Sequence, residues 1–105
     1  MELTSKQRAY LRSLANTADT ILHVGKEGVS DTVITQADTA LEARELIKGK
    51  VLENAGLTPR EVCEELARRT RSESVQVIGS KFVLYRKSHK KDVKHIELPG
   101  KPAKK

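Results

Sequence analysis

The chain is punctuated by three helix starts, at Thr4, Ser30 and Thr58, and each is followed by a segment with strand character. Thr4-x-x-Gln7 is a reciprocal capping box, and Thr58-Pro59-Arg60-Glu61 is a second one with proline at the first helical position. Ser30 is an N-cap flanked by Val29 and Ile34, the two positions of a hydrophobic staple. Ile21–Val24 is a short apolar run bounded by polar residues and Gly25, which predicts a buried strand. Glu45–Leu52 alternates, with Ile47 and Val51 on one face and Lys48 and Lys50 on the other. Val75–Ile78 and Phe82–Arg86 flank Gly79-Ser80-Lys81 and predict a hairpin. A chain so divided must fold as αβαβαββ, an α/β single domain in which helices pack on one sheet.

The helical faces follow from spacing. Leu11, Leu14 and Ala18, with Tyr10 beside them, give the first helix an apolar stripe. Val33, Ile34, Ala37, Ala40 and Leu41 mark the second, and Val62, Cys63, Leu66, Ala67 and Thr70 the third. Glu64 with Arg68 and Glu65 with Arg69 are favourable pairs on the outer side of the third helix. Arg68, Arg69 and Arg71 could touch a phosphate, but a solvated, internally paired face is the preferred reading. Gly49 weakens its strand locally, or marks a bulge or a close backbone approach. Nothing after Lys87 is periodic, although Ile96 and Leu98 could add an edge strand.

Length and charge exclude several classes. At 105 residues the chain has room for one modest core. No apolar run approaches the ~18 residues of a membrane span, and no signal-peptide h-region follows Met1. The single cysteine, Cys63, cannot form an internal disulfide, which suits a reducing compartment. On a helix's inner face it reads as a small core hydrophobe. The net charge of +6 is unevenly placed: residues 87–105 carry seven lysines against Asp92 and Glu97, a net +5, so residues 1–86 carry about +1. The division expected is a domain over 1–86 and a basic, flexible extension over 87–105. Such an extension is either a solubilising tail or an electrostatic lure for a polyanion.

No catalytic constellation emerges. His23, His89 and His95 lack partners at metal-ligand spacing, and there is no nucleophile elbow, HExxH or P-loop. The expectation is a non-enzymatic protein with no cofactor and no metal.

The sharpest local feature is Gly25-Lys26-Glu27-Gly28, between a strand and a helix start. Its glycines let the backbone turn and approach a ligand, and the helix N-terminus behind it suits a phosphate. KH domains clamp a nucleic-acid backbone with a GxxG loop of this kind. A plain turn would also satisfy the pattern, and Glu27 places a negative charge beside the supposed anion. Lys6, Arg8 and Arg12 on the first helix, and Lys48 and Lys50 on a strand face, are bases that packing need not use. Phe82 and Tyr85 have opposite parity, so they cannot form one stacking platform. Recognition would then rest on phosphate and shape, which fits structured RNA better than a sequence-read single strand.

Leu3-Thr4-x-Lys6-Gln7 with Tyr10-Leu11-Arg12, Val24-Gly25-Lys26-x-Gly28-Val29, Glu45-Leu46-Ile47-Lys48 and Val75-Gln76-Val77-Ile78-Gly79 with Leu84-Tyr85-Arg86 together resemble the CRM domain (chloroplast RNA splicing and ribosome maturation) of the stand-alone bacterial YhbY type. The resemblance runs from about Leu3 to Arg86. It implies a mixed four-stranded sheet similar to the C-terminal domain of translation initiation factor three. It also implies RNA binding and association with precursors of the large ribosomal subunit in a bacterial cytoplasm. The RNA surface would comprise Gly25, Lys26, Glu27 and Gly28, with Lys6, Arg8, Arg12, Lys48 and Lys50 around it. Gly49 departs from the apolar residue usual in that strand, and the extension beyond Lys87 is not shared. A monomer is expected. The alternative is a protein-interaction module that binds an acidic assembly partner through the same basic surface; a small enzyme is more remote. Intron splicing belongs to multi-domain plant relatives, and the length of this chain argues against it.

Overall fold

In the computed structural model, which describes residues 3–90 and 95–98, the elements alternate as the helix starts require. They are α1 (Ser5–Ala15), β1 (Thr20–Val24), α2 (Asp31–Arg44), β2 (Leu46–Val51), α3 (Pro59–Thr70), β3 (Glu73–Ile78) and β4 (Lys81–Tyr85), with a 3-10 turn at Glu53–Ala55. Both capping boxes close. The Gln7 N–H donates to Thr4 Oγ1 at 3.1 Å and the Thr4 N–H to Gln7 Oε1 at 3.1 Å, while Thr58 and Glu61 exchange the same bonds at 2.8 and 3.1 Å. Ser30 Oγ accepts from the Val33 N–H at 3.3 Å. Each such cap is worth about 1 kcal/mol.

The strands lie in the order β1-β2-β4-β3, with β1 parallel to β2 and the other pairs antiparallel. A parallel pair needs a crossover, and α2 supplies it. Side-chain alternation then builds two cores. Leu22, Val24, Ile47, Val51, Phe82 and Leu84 face α2 and α3, meeting Val33, Ala37, Leu41, Val62, Cys63 and Leu66. Val75, Val83 and Tyr85 face α1, meeting Leu11 and Ala15. The opposite parity of Phe82 and Tyr85 thus sends one ring into each core. Cys63 is fully buried with its Sγ 3.3 Å from Ser74 Oγ, and burial pushes its thiol up from the ordinary value.

Two packing details differ from the sequence expectation, and a third decides between its alternatives. The buried row of α1 is Gln7, Leu11 and Ala15, at four-residue spacing, rather than Leu11, Leu14 and Ala18 with Tyr10. The capping box draws Gln7 inward and the helix stops at Ala15, so Leu14 flanks the contact and Tyr10 is 38% exposed. On α3, Glu64 pairs with Arg60 at 3.8 Å rather than with Arg68, and Glu65 takes both Arg68 and Arg69. The third detail resolves the oddity at Gly49. This residue stands opposite Phe82 in the β2–β4 register, and the far end of the ring covers it. A Cβ on Gly49 would sit 2.8 Å from Phe82 Cε1 and Cε2 and closer still to Cζ. The strand has traded a side chain for an aromatic lid.

Among the described residues past Tyr85, several are held against the domain. The Arg86 guanidinium, 13% exposed, bonds Asp38 Oδ1 at 2.7 Å, Glu42 Oε2 at 3.0 Å and the Thr70 carbonyl at 2.7 Å. Glu45 is fully buried at φ 66, where α2 turns into β2. Its carboxylate accepts the Ser88 N–H at 2.7 Å, the Ile96 N–H at 2.6 Å and His95 Nδ1 at 2.6 Å. Leu98 is buried in the α1 core. No strand forms at 95–98, because the Ile96 N–H goes to the carboxylate rather than to a neighbouring strand. Of the lysine-rich extension, residues 91–94 and 99–105 lie outside the described residues.

Two outcomes are expected. Gly49→Ala should cost about 1–3 kcal/mol in urea denaturation by overpacking, and Phe82→Leu in the same chain should recover part of that loss. Burial pushes the Glu45 carboxyl up, but the hydrogen bonds from His95, Ile96 and Ser88 outweigh it and hold the group below its ordinary 4.5. A lowered carboxylate stabilises the fold above its unfolded value and loses that contribution as pH falls through the folded one. Glu45→Gln should therefore cost about 2 kcal/mol at neutral pH and speed exchange of the Ser88 and Ile96 amides. The difference between the two proteins should close below pH 4.5.

Candidate nucleic-acid interface

The parallel pairing brings three connections to one end of the sheet. Leu52 N–H donates to the Val24 carbonyl at 2.8 Å and Val51 N–H to the Ser80 carbonyl at 2.8 Å. The loop after β1, the turn after β2 and the β3–β4 hairpin are therefore neighbours. Residues 25–28 form a turn closed by the Gly28 N–H on the Gly25 carbonyl at 2.8 Å, with Lys26 and Glu27 exposed at its tip.

The two glycines do different jobs. Gly28 has φ +67, and a Cβ there would come within 3.3 Å of Leu57 Cδ1, so the turn itself requires glycine. Gly25 has no positive φ, and a Cβ would make ordinary contacts of 3.5 Å with Leu52 and 3.8 Å with Asn54. Its lack of a side chain keeps the surface low rather than making the turn feasible. Beyond the loop, α2 begins at Asp31, and the first-turn N–H groups of Asp31 and Thr32 have no intrahelical acceptor. Loop and helix end enclose a shallow cleft of about 320 Å³ lined by His23, Gly25, Lys26, Glu27, Ser30 and Thr32.

Not every predicted base reaches this end. Lys50 pairs in register with His23, two residues before Gly25, so it stands beside the loop. Lys48 lies one inward step along the same strand face, but its Nζ donates to the Ala15 carbonyl at 3.1 Å and caps α1. Arg8 is also committed, its guanidinium bonding the carbonyls of Ser74 and Val75 on β3. For these two, the expectation of bases that packing does not use is corrected: each ties α1 to the sheet. Arg12 lies in the last turn of α1. Lys6 is nine residues before Ala15, roughly 14 Å along the helix axis, and is not gathered to the loop.

His23, Ser30 and Thr32 are contributors that the motif did not suggest. The signal for His23 was present: with Leu22 and Val24 inward, His23 must point out. A second basic cleft, at the other end of the sheet, is lined by Arg69, Arg71, Arg86, Lys87 and His89 together with Asp38 and Glu73. Its arginines 69 and 86 are held by Glu65 and by Asp38 and Glu42. Among the described residues, no group of three or more His, Cys, Asp or Glu side chains could hold a metal ion, and no helix is long and apolar enough to cross a membrane.

Comparison with known proteins matches this arrangement to a family. The model of the CRS1 / YhbY (CRM) domain fits residues 3–86. The chain is 50% identical over 97 residues to the protein named Probable RNA-binding protein YqeI of Bacillus subtilis, covering 92% of this chain and 99% of that one. It is 33% identical over 99 residues to an RNA-binding protein of Haemophilus influenzae, covering 94% and 97%. Among solved structures, the hypothetical protein SAV1595 from Staphylococcus aureus, described as a putative RNA binding protein, superposes with a TM-score of 0.73. It shares 47% identity, covering 93% of this chain and 100% of that one.

Proposed function

The chain belongs to the CRS1 / YhbY (CRM) family of RNA-binding domains, and from that premise we propose that it binds ribosomal RNA and assists assembly of the large ribosomal subunit in a bacterial cytoplasm, acting as a monomer without catalysis. The observation that carries the RNA contact is the loop. Gly25 leaves the surface low, Lys26 stands at its tip, and free amides of the first turn of α2 open behind it. A phosphate seated there meets a cation and a partial positive charge together. Lys50 and Arg12 extend the positive surface. Lys6 and the lysines beyond Lys87 add non-specific, salt-sensitive attraction. The ribosomal assignment rests on the family resemblance and on the near-neutral domain, which favours a placed contact over bulk charge.

The test is anisotropy with a labelled ribosomal RNA fragment across a salt series. Lys26→Glu and Gly25→Asp should weaken binding severalfold, and Lys26→Gln should make the log–log salt slope shallower by about 1. Unchanged affinity would reduce the loop to a turn. Gly28 is left alone, since its φ of +67 ties it to folding. In cell extracts the protein should sediment with precursors of the large subunit. Sedimentation only at the top of the gradient would remove the assembly role.

A further inference from the structure

One face of the sheet is only partly covered. The register aligns one residue from each strand in a row: His23 with Lys50, Lys50 with Lys81, and Lys81 with Ile78. The row spans about 14 Å, three inter-strand gaps of ~4.8 Å. It lies on the side that α1 packs against, because Gly49, Phe82 and Val77, its neighbours along the strands, face the other core. The next row inward holds Lys48, Val83 and Gln76. Over it α1 stops, its Ala15 carbonyl capped by Lys48. The outer row is bare, and Ile78 is 61% exposed.

Between the end of α1 and the hairpin this leaves a cleft of about 220 Å³. Its floor is apolar, from Ala15, Val83 and Ile78; Asn16 and Gln76 bring carboxamides, and Lys48 and Lys81 bring cations. No acidic side chain lines it. Carboxamides can donate and accept together and so read the edge of a base. An apolar floor suits the base's face, and lysines suit the phosphates on either side.

We propose that this cleft holds one unpaired nucleotide of the bound RNA, its base over Ile78 and Val83 with its edge toward Asn16 and Gln76, and its flanking phosphates on Lys81 and Lys50. The inference rests on the RNA reading above and deepens it, adding base recognition to a surface otherwise built for phosphate. It also gives the backbone a path from the loop at Gly25, past His23 and Lys50, to the hairpin. The acid-free lining fits a polyanion, and the paired carboxamides beside an exposed aliphatic fit a nucleobase better than a carboxylate-rich peptide.

The experiment uses the full chain with two labelled probes, an RNA stem–loop and a fully paired duplex of the same stem. Gln76 and Ile78 are at least partly exposed, so their exchange spares the cores; circular dichroism confirms folding. Gln76→Ala and Ile78→Ser should lower the preference for the stem–loop about fivefold while leaving the salt slope unchanged. Lys81→Gln should make that slope shallower by about 1. If Lys26→Glu weakens binding but Gln76→Ala, Ile78→Ser and Lys81→Gln all bind as wild type, the cleft is no nucleotide site and the loop reading survives. If the wild type binds neither probe, both readings fall. Displacement of the stem–loop by polyglutamate as readily as by unlabelled RNA would mark a seat for an acidic protein and overturn the nucleotide assignment.

Discussion

The parallel pairing of β1 with β2 is the contact on which the rest of the molecule depends. Because the two strands run the same way, the chain must return from one end of the sheet to the other, and α2 is that return. The start of α2 is then fixed beside the C-terminal end of β1, with only residues 25–30 between them. A glycine turn, a helix N-terminus and the ends of two parallel strands are forced together. This is the crevice at which open α/β sheets commonly receive ligands. The antiparallel addition of β4 next to β2 brings the hairpin to the same end.

Charge is then a matter of placement. The domain is close to neutral, and several of its bases serve the fold. Arg8 and Lys48 fasten α1 to the sheet, and Arg86 fastens β4 to α2 and α3. Around the loop and along the bare row stands a small set, Lys26, Lys50 and Lys81. Losing any one of these should matter more than the net charge suggests, since bulk attraction is screened within a Debye length of about 8 Å at physiological salt.

Much of the fold was legible because its signals are local. Both capping boxes, the Ser30 cap and the order of elements follow from residues within four of one another. The alternation of β4 told that Phe82 and Tyr85 part company. What was not legible depends on register and on distant partners. Gly49 left a weak point, a bulge and a close approach all open until Phe82 was placed across from it. Arg8 looked free, yet its partner is 66 residues away. Glu45 read as the start of a strand, and its buried carboxylate is satisfied by groups 43 to 51 residues later. The glycine loop was visible as a motif, but the distinct duties of Gly25 and Gly28 required the backbone angle and the position of Leu57.

The central claim is that RNA meets the protein at the end of the sheet where β1 runs into α2. Amide chemical shifts followed during titration with a ribosomal RNA fragment test it most directly. The account predicts the largest changes at His23, Gly25–Gly28, Asp31, Thr32 and Lys50. Shifts confined to α3 and to the segment after Lys87, with the residues around Gly25 unmoved, would contradict it.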